Sequence, residues 1–568
     1  MGVLTGEGAP FEVVDGVYVR GPRTLREFVE VVWGFGDRVF LVGEGESVTY
    51  REFFDAACGL GRRLVGEYGL RPGDRVVVAM RNLPEWQVAF WGAQLAGLVV
   101  VPLNAWWSER EFAYALDDCA PRMLLVDGER VGRVRAWARA AGVPGIVFRG
   151  EAEDGFVAYE VDDDPLLGPP DVEVAPEDDA TIFYTSGTTG RPKGAVATHL
   201  AQAGAAMHPR YFAAAAALAR GERPGGGAPV VSLTTFPFFH VAAFTSLYAV
   251  MAAGGTLVMM RKWDAERALE LIREHRVTHY AGVPTTALEL LARARETGDG
   301  LESLVLLSTG GAAAPPGITG ELAAGYGERI APRNGYGLTE TCGGVFANVG
   351  AEYREHPGSV GRPSPATEAR IEAPGEDGVG ELWLRGQSMF RGYWGDPEAT
   401  RAVFAPGGWF RTGDLATVDA GGRVSIVDRL TDLVIRGGEN VYCVEVEQAL
   451  HAHADVLDAA VVGVPHPLLG EEVGAVVRLR EGSRVGVEGL RAHVAARLAA
   501  FKVPAHVVLV PDGELPRNRA GKLLKGSLRE LVVSAVAGRE PGEPRESGVS
   551  GDAGESGKGR GPAVVSRG

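Results

Sequence analysis

The segment Ala180–Gly194 reads ATIFYTSGTTGRPKG and places an apolar, strand-like run directly before a loop of hydroxyl residues, glycines and one lysine. Glycines let the backbone bend so that successive N–H groups face one point, while the hydroxyls and Lys193 add donors and a positive charge. Such a loop suits a polyphosphate. A Walker phosphate loop needs Ser or Thr after its lysine, but Gly194 follows Lys193, which disfavours a P-loop ATPase or kinase. On the loop alone, a surface hairpin tip with incidental hydroxyls stays a second interpretation.

Short apolar runs alternate with helix-length segments on both sides of this loop. In the first series, RVVVAM, LVVVPL and RMLLVD (residues 75–127) are separated by amphipathic segments, and a second series runs from TLVMM to LVLLSTGG (residues 256–311). Continuous β-branched runs between amphipathic helices are typical of parallel sheets covered on both faces. The sequence therefore predicts an α/β fold with two α/β subdomains in a large N-terminal domain.

After about Gly361 the pattern changes to short strands with glycine turns, which predict a small β-barrel-like subdomain. Residues 429–535 predict a small α+β C-terminal domain of about a hundred residues. We therefore expect an N-terminal extension over residues 1–24 and a large domain over residues 25–428. The Gly-, Pro- and Ser-rich residues 536–568 contain few core-forming residues and are predicted to be disordered.

The formal net charge of −16 argues against general nucleic-acid binding, although local lysines can still bind an anionic substrate. Four scattered cysteines lack metal-binding spacing and predict reduced, buried thiols in a cytoplasmic protein. The uncharged run Val241–Met260 is about long enough to span a bilayer. Its internal Gly254-Gly255 pair favours a buried helix followed by a buried strand, so we predict no stable membrane insertion.

Six motifs follow one another between Leu25 and Leu531: YTSGTTGRPKG, STGGAAAPP, NGYGLTE, WFRTGDL, DRLTDLVIRGGENVYCVEVE and PRNRAGKLLK. In this order they resemble the adenylate-forming enzymes, which include acyl-CoA synthetases, peptide-synthetase adenylation domains and firefly luciferase. The segment GGENVY is most similar to fatty-acid and related acyl-CoA ligases. The resemblance implies that a carboxylic acid attacks the α-phosphate of ATP in the presence of Mg²⁺, and that coenzyme A then displaces AMP. It also implies a C-terminal domain that rotates between the two half-reactions.

The resemblance carries the family's functional positions onto residues of these motifs. The implied catalytic residues are Lys522, Thr339 and Glu340, and Glu340 is also the implied magnesium ligand. Phosphate-binding residues are implied at Thr185, Ser186, Gly187, Thr188, Thr189, Gly190 and Lys193. Positions around the adenine and the acyl group are Gly311, Ala312, Ala313, Asn334, Tyr336 and Gly337. The ribose and the pantetheine arm of coenzyme A are expected at Asp414, Arg429, Gly437, Gly438, Glu439 and Asn440.

Several of these residues also have purely structural interpretations. Thr339 and Glu340 fit the start of a helix, and Asp414 fits a turn. The GGEN segment fits a tight connection between two strands. Lys522 fits a solvated basic cluster with Lys525.

Three residues in or beside the family motifs need separate interpretation, which are Cys342, Cys443 and Thr431. No base is identifiable beside Cys342, so we interpret Cys342 and Cys443 as structural thiols. Thr431 stands where relatives commonly have Asp or Lys at the domain hinge, which leaves the energetics of the rotation open.

His240 and Val241 are the expected acyl-pocket residues, and His240 fits a gate and a core histidine equally well. Residues 232–250 contain no Asp or Glu, which argues for an uncharged, apolar acyl tail such as that of a fatty acid. Two alternatives remain: transfer of the acyl group to a carrier-protein phosphopantetheine, and nucleotide binding without chemistry. The sequence leaves the oligomeric state open, a homodimer included.

Overall fold

The computed structural model describes residues 2–161, 167–185, 192–227, 229–312, 317–437, 439–510, 515–517 and 523–538, and the backbone of residues 564 and 565. The chain divides into two compact units. The first comprises Met1–Arg370, Trp383–Thr412 and Asp419–Val424. The second comprises Ile371–Leu382, Gly413–Val418 and Ser425–Gly568.

The first unit contains an eight-stranded sheet. Its strands lie in the spatial order Gly392–Tyr393, Gly194–Thr198, Asp179–Tyr184, Val99–Pro102, Arg75–Ala79, Met123–Asp127, Gly145–Phe148 and Phe156–Ala158. Neighbours from Asp179–Tyr184 onward are parallel, which confirms the parallel strands predicted from the valine-rich runs. Gly194–Thr198 is antiparallel to both of its neighbours, so the hydroxyl-rich loop joins two antiparallel strands at one end of the sheet.

The second sheet of this unit has nine strands. Their spatial order is Arg362–Pro363, Gly343–Val349, Ala331–Leu338, Leu306–Thr309, His279–Gly282, Val231–Thr234, Thr256–Met259, Val39–Val42 and Ser47–Thr49. The six strands from Ala331–Leu338 to Val39–Val42 are parallel to one another, and antiparallel strands extend the sheet at both edges. Two α/β series therefore build two sheets, as the sequence predicts.

The helices of the first unit cover these sheets. They are Gly2–Thr5, Leu25–Val32, Tyr50–Gly66, Pro84–Leu95, Glu109–Cys119, Gly128–Ala141, His199–Ala219, Val241–Ala253, Ala265–Glu274, Pro284–Thr297, Gly317–Tyr326, Ala351–Glu355 and Pro397–Val403. Two 3₁₀ turns are Trp33–Phe35 and Thr339–Thr341, and three short strands are Val13–Val14, Val17–Tyr18 and Phe404–Ala405. The boundaries between the two units fall within four strands, which are Thr367–Glu372, Gly380–Gly386, Trp409–Val418 and Val424–Arg429.

The uncharged run Val241–Met260 folds as the sequence predicts. The helix Val241–Ala253 ends at Gly254, whose φ of 60° suits glycine, and the buried strand Thr256–Met259 follows. Among the described residues, no helix combines the length and the apolar character needed to cross a bilayer.

The second unit contains the predicted α+β elements. Its helices are Cys443–His451, Val487–Ala495 and Lys525–Val536, with a 3₁₀ turn at Ala500–Lys502. Its sheet has the order Glu439–Val441, Val434–Arg436, Gly470–Leu479, His506–Val510 and Val564–Val565, and Val456–His466 pairs with Gly470–Leu479. An apolar core of valines and alanines lies between this sheet and the helices.

A buried ion pair fixes the start of the helix Gly128–Ala141. Asp127 caps this helix and accepts hydrogen bonds from Arg130 Nη1 to both carboxylate oxygens at 3.0 Å. Both side chains are almost fully buried, and Arg130 Nε also donates to the carbonyl of Ala105 at 2.9 Å. The pair therefore connects the end of the strand Met123–Asp127, the helix that follows it and the loop that contains Ala105.

Replacing Arg130 by methionine leaves the buried Asp127 carboxylate without its charged partner. We expect Arg130→Met to lower the free energy of unfolding by about 3–5 kcal/mol, measured by urea denaturation. Arg135→Met, on the same helix, is the matched control because its ion pair with Glu153 is exposed; we expect a change below about 1 kcal/mol. Equal effects of the two substitutions would contradict the importance of the buried pair.

Candidate active site

The described residues at the base of the hydroxyl-rich loop form a closed hairpin end. The Thr185 amide donates to the Lys193 carbonyl at 2.9 Å, and the Lys193 amide donates to Thr185 Oγ1 at 3.4 Å. The Tyr114 hydroxyl donates to the Pro192 carbonyl at 3.0 Å. Ser186, Gly187, Thr188, Thr189 and Gly190 lie outside the described residues. The hairpin geometry at the base is compatible with both interpretations of the loop.

The Lys193 side chain extends over an aromatic ring that the sequence analysis did not single out. Its Nζ lies 5.2 Å from the centroid of Tyr393 and 3.9 Å from Asp396 Oδ2. About 45% of the Lys193 side chain is exposed, so the ammonium remains accessible to an anion. The aromatic face and the aspartate hold this cation beside the loop.

Tyr393 connects Lys193 to Glu340. Its hydroxyl donates to Glu340 Oε1 at 2.8 Å, and the Phe390 amide donates to the Glu340 carbonyl at 2.8 Å. Tyr393 pairs with Ala195 in the eight-stranded sheet, so its position depends on the strand that follows the loop. Burial and the neighbouring Glu340 raise the pKa of Tyr393 well above its ordinary value, which keeps the phenol protonated as a donor.

Glu340 lies in the short 3₁₀ turn Thr339–Thr341. Thr339 and Glu340 therefore begin one helical turn and not a longer helix. Thr341 Oγ1 accepts from the Leu338 amide at 2.8 Å and donates to the Gly343 carbonyl at 2.7 Å, which fixes the turn. Gly337 precedes the turn at a bulge, where a Cβ atom would collide with the Gly343 carbonyl. The NGYGLTE sequence therefore presents Thr339 and Glu340, both half-buried, at the end of a central strand.

The expected adenine and acyl residues of the first unit lie near the ends of neighbouring strands. Asn334 is buried, and Tyr336 packs edge-on against Phe346 at 5.7 Å between ring centroids. Gly311 has a φ of 76°, and a Cβ there would lie 3.7 Å from the ring of Phe236. Ala312 follows it and is half-buried, whereas Ala313 lies outside the described residues.

His240 and Val241 stand at the start of the helix Val241–Ala253. His240 Nδ1 accepts a hydrogen bond from the Ala242 amide at 3.2 Å and caps the helix, while its side chain stays half-buried. Val241 is buried. His240 thus has an observed structural role, which is compatible with a position at the edge of a pocket.

The expected ribose and pantetheine residues belong to the second unit. Arg429 Nε lies 3.4 Å from Asp414 Oδ1, and the Asp414 side chain is largely buried. Arg436 pairs with Glu439 across a hairpin, Gly437 has a φ of 60°, and Glu439 and Asn440 are exposed. Gly438 and Lys522 lie outside the described residues.

The hinge region of the second unit contains a cluster of charged side chains. Thr431 is exposed, and next to it Asp432 lies 3.5 Å from Lys525 Nζ, which also lies 3.1 Å from Glu447. Although burial opposes it, the acidic neighbours raise the pKa of Lys525 above its ordinary value. Burial raises the pKa of Asp428 to about 6, and Asp428 accepts hydrogen bonds from the backbone amides of Cys443 and Val444. Lys525 is therefore a half-buried partner of acidic residues, not a member of a solvated basic cluster.

The four cysteines are free and buried. Burial, with Glu340 adding to it, raises the pKa of Cys342 well above its ordinary value, which makes it a poor nucleophile. Among the described residues, no group of three or more His, Cys, Asp and Glu side chains surrounds a common point. Mg²⁺ in phosphate chemistry is usually held by one or two carboxylates and the substrate phosphates, and the Glu340 carboxylate beside Tyr393 fits such a site.

Comparison with known proteins agrees with this geometry. Residues 28–394 match the AMP-binding enzyme family, and residues 445–522 match the AMP-binding enzyme C-terminal domain. The chain belongs to the AMP-binding enzyme family. It is an AMP-forming acid–thiol ligase of the acyl-CoA synthetase type, and it uses ATP, Mg²⁺ and coenzyme A.

Members of the AMP-binding enzyme family with different named substrates are similar to this chain. A feruloyl-CoA synthase from an Amycolatopsis species is 36% identical over 85% of this chain and 94% of its own length. A long-chain fatty-acid–CoA ligase of Mycobacterium tuberculosis is 33% identical, with coverages of 82% and 90%. The solved structure of an amide bond synthetase from Marinactinospora thermotolerans is 28% identical, with a TM-score of 0.77 and coverages of 90% and 99%.

The structure adds two residues of this family member that the motifs alone did not indicate. Tyr393 and Asp396 lie in the segment RGYWGD. Its aromatic residues, flanked by glycines and charged residues, are the sequence feature that could have indicated a functional site. Their relation to Lys193 and Glu340 depends on pairing between distant strands, which local sequence does not encode.

Replacing Lys525 by methionine removes the cation that lies between Asp432 and Glu447. We expect Lys525→Met to destabilise the second unit by about 3 kcal/mol, because two poorly solvated carboxylates lose their partner. Urea denaturation would measure the loss. Lys262→Met, at an exposed position of the first unit, serves as the control and should change stability by less than about 0.5 kcal/mol. A Lys525→Met protein as stable as the control would show that the cluster is already solvated.

Proposed function

We propose that this enzyme activates a carboxylic acid with a largely apolar body by adenylation, releases pyrophosphate, and transfers the acyl group to coenzyme A. The observation that carries the proposal is the contact between Tyr393 and Glu340 beside the Lys193 ammonium. A cation and an oriented carboxylate at the end of a hydroxyl-rich loop suit the triphosphate of ATP.

The residues of the first unit fit the binding of ATP with magnesium. The Glu340 carboxylate is oriented by the Tyr393 hydroxyl and remains partly accessible, so its second oxygen fits a hard cation. When bound, Mg²⁺ neutralises charge on the phosphate oxygens. Lys193, Thr185 and the loop residues 186–190 would hold the β- and γ-phosphates, and Thr339 would donate to the α-phosphate.

The proposed roles in the second unit follow the family motifs. Asp414 would accept hydrogen bonds from the ribose hydroxyls, with Arg429 beside it at 3.4 Å. Lys522 would place its ammonium, charged at neutral pH, between the attacking carboxylate and the α-phosphate. Residues 437–440 would border the pantetheine arm, because a hairpin with glycines allows a thin thiol arm to approach the backbone.

The acyl class is supported by composition and by the related enzymes. Residues 232–250 carry no acidic side chain, which suits an apolar acyl body. The similar enzymes include one named for ferulate and one for long-chain fatty acids, so both aromatic and aliphatic acids belong in a substrate screen. Four free cysteines accord with a cytoplasmic location, which we also propose.

The acceptor of the acyl group has two alternatives to coenzyme A. One is a carrier-protein phosphopantetheine. The other is an amine, because an amide bond synthetase is among the similar structures.

The test incubates purified enzyme with ATP, Mg²⁺ and a panel of short, medium, long and aromatic acids, with coenzyme A, a phosphopantetheinyl carrier protein or an amine as acceptor. We expect pyrophosphate and AMP with at least one acid, and an acyl-CoA thioester by mass spectrometry. Product with the carrier protein or the amine alone would assign a different acceptor. No pyrophosphate with any acid would contradict the adenylation itself.

Lys522→Ala provides the matched variant for the first half-reaction. We expect it to slow acyl-adenylate formation on the order of 10²–10³-fold, because a preorganised charge at the reacting phosphate is lost. Thioester formation from a supplied acyl-adenylate should stay near the wild-type rate. Equal loss of both half-reactions would contradict the separate role of Lys522.

A further inference from the structure

A row of paired residues crosses four neighbouring strands of the nine-stranded sheet. Thr234 pairs with Ala281, Ala281 with Ser308, and Ser308 with Arg333. Because directly paired residues of parallel strands project from the same face, their side chains form one row, which we call the Thr234–Arg333 row. The row lies on the face of the sheet whose Ala281 shares an apolar core with the helix Val241–Ala253. Leu307 points to the opposite face and belongs to a separate apolar core.

Arg333 carries a charge on this face that no described side chain neutralises. Its Nε is buried and makes no hydrogen bond, and within the described parts of the chain no carboxylate pairs with its guanidinium. Burial lowers the pKa of Arg333 to about 10, so it remains charged at neutral pH. Burial and Arg333 lower the pKa of the neighbouring His279 to about 4, so this imidazole is neutral. An enclosed cation without a counter-charge is costly to keep, which indicates a ligand.

A second polar group on the row also lacks a partner. Thr234 is fully buried, and its Oγ1 makes no hydrogen bond among the described residues. Ser308 lies between Thr234 and Arg333 and is half-buried. The row therefore presents a guanidinium and two hydroxyls to the same side of the sheet, all of them able to donate to an oxygen acceptor.

Glycines continue the face of this row toward the carboxyl ends of the strands. The next positions on the same face are Gly310 and Gly335, and a Cβ at either would meet no side chain within 4 Å. Arg333 itself keeps a partly accessible surface, so a ligand could reach its guanidinium.

The helix Val241–Ala253 supplies the other wall of this space. It packs on the neighbouring strands, and its Thr245 Oγ1 accepts from the Gly344 amide at 3.3 Å. Its partly accessible residues follow helical spacing and are small: Ala242, Thr245, Ser246, Ala249 and Ala252. Because the helix contributes small side chains here and the sheet contributes glycines, an acyl channel is proposed to run from Gly337 toward Arg333.

We propose that Arg333 binds an oxygen acceptor, above all a carboxylate, at the end of the acyl substrate farthest from the reacting carboxyl group. This inference rests on the proposed function, because it takes Gly337 and Glu340 as the adenylation end of the channel. Arg333 lies four positions before Gly337 on the strand, roughly 13 Å at ~3.3 Å per residue, which suits an acid of medium length or one with an aromatic ring. The planar guanidinium fork binds a carboxylate through two hydrogen bonds, so the preferred substrate class is acids with a polar far end on an apolar body.

The test compares acids that differ only at the far end. One series is nonanedioate, 9-hydroxynonanoate and 9-methyldecanoate, in which the branched end of the last matches a carboxylate in shape. The other is 4-carboxycinnamate, 4-hydroxycinnamate and 4-isopropylcinnamate. We expect wild-type kcat/KM for thioester formation to favour an oxygen-bearing member over its isopropyl-ended counterpart in at least one series.

Arg333→Met should remove this preference. We expect kcat/KM for the favoured acid to fall by about 10²-fold, while kcat/KM for the isopropyl-ended acid stays within about threefold or rises. Arg333→Lys keeps the charge but not the fork and should retain an intermediate preference. Arg293→Met, which changes an exposed arginine of another helix, should leave both values unchanged.

Each outcome decides the proposal. A ratio between two acids within one variant is independent of how much of that variant folds, and thermal unfolding with and without each acid gives a second readout of binding. A wild-type preference for the isopropyl-ended acid in both series, or an equal loss for both acids in Arg333→Met, would overturn the inference while leaving the ligase activity established. Absence of turnover with every acid, including the wider panel, would overturn the proposed function and this inference together.

Discussion

The hydrogen bond from the Tyr393 hydroxyl to the Glu340 carboxylate joins the two sheets of the first unit. Tyr393 belongs to the eight-stranded sheet, beside the strand that leaves the hydroxyl-rich loop, and Glu340 follows a central strand of the nine-stranded sheet. Loops at the carboxyl ends of parallel strands converge where side chains from different strands can meet. This contact and the hydrogen bond from the Phe390 amide to the Glu340 carbonyl hold Glu340 close to the phenol that Lys193 also contacts.

The same strand that positions Glu340 also extends down to Arg333. In the proposed acyl channel, charge would therefore lie at both ends, with the Glu340 carboxylate and Lys193 at one end and the Arg333 guanidinium at the other. Such a distribution orients an elongated acid, because its reacting carboxyl group and its far end meet different groups. An apolar wall with few donors at fixed positions is the usual way in which a pocket combines affinity with specificity.

Sequence reasoning was sufficient where the physical signal is local. Arg75–Ala79 and Met123–Asp127 are continuous β-branched runs, and burial on both faces of a parallel sheet demands such runs. Tyr393 could not be found this way, because its role depends on antiparallel pairing with Ala195. Lys525 shows the same limit of local sequence. Its position three residues after Lys522 predicts a basic cluster, but in the folded chain its ammonium lies beside Glu447 and Asp432. The partners of a charge are decided by packing, whereas its spacing in the chain says little about them.

The central claim is that a carboxylate oxygen of the substrate attacks the α-phosphate of ATP at the site formed around Glu340 and Lys193. A carboxylic acid labelled with ¹⁸O in its carboxyl group tests this directly when the enzyme turns it over with ATP, Mg²⁺ and coenzyme A. Attack at the α-phosphate predicts that the released AMP carries one labelled oxygen and that pyrophosphate carries none, as read by mass spectrometry. Labelled inorganic phosphate accompanied by ADP would place the attack at the γ-phosphate and contradict the account.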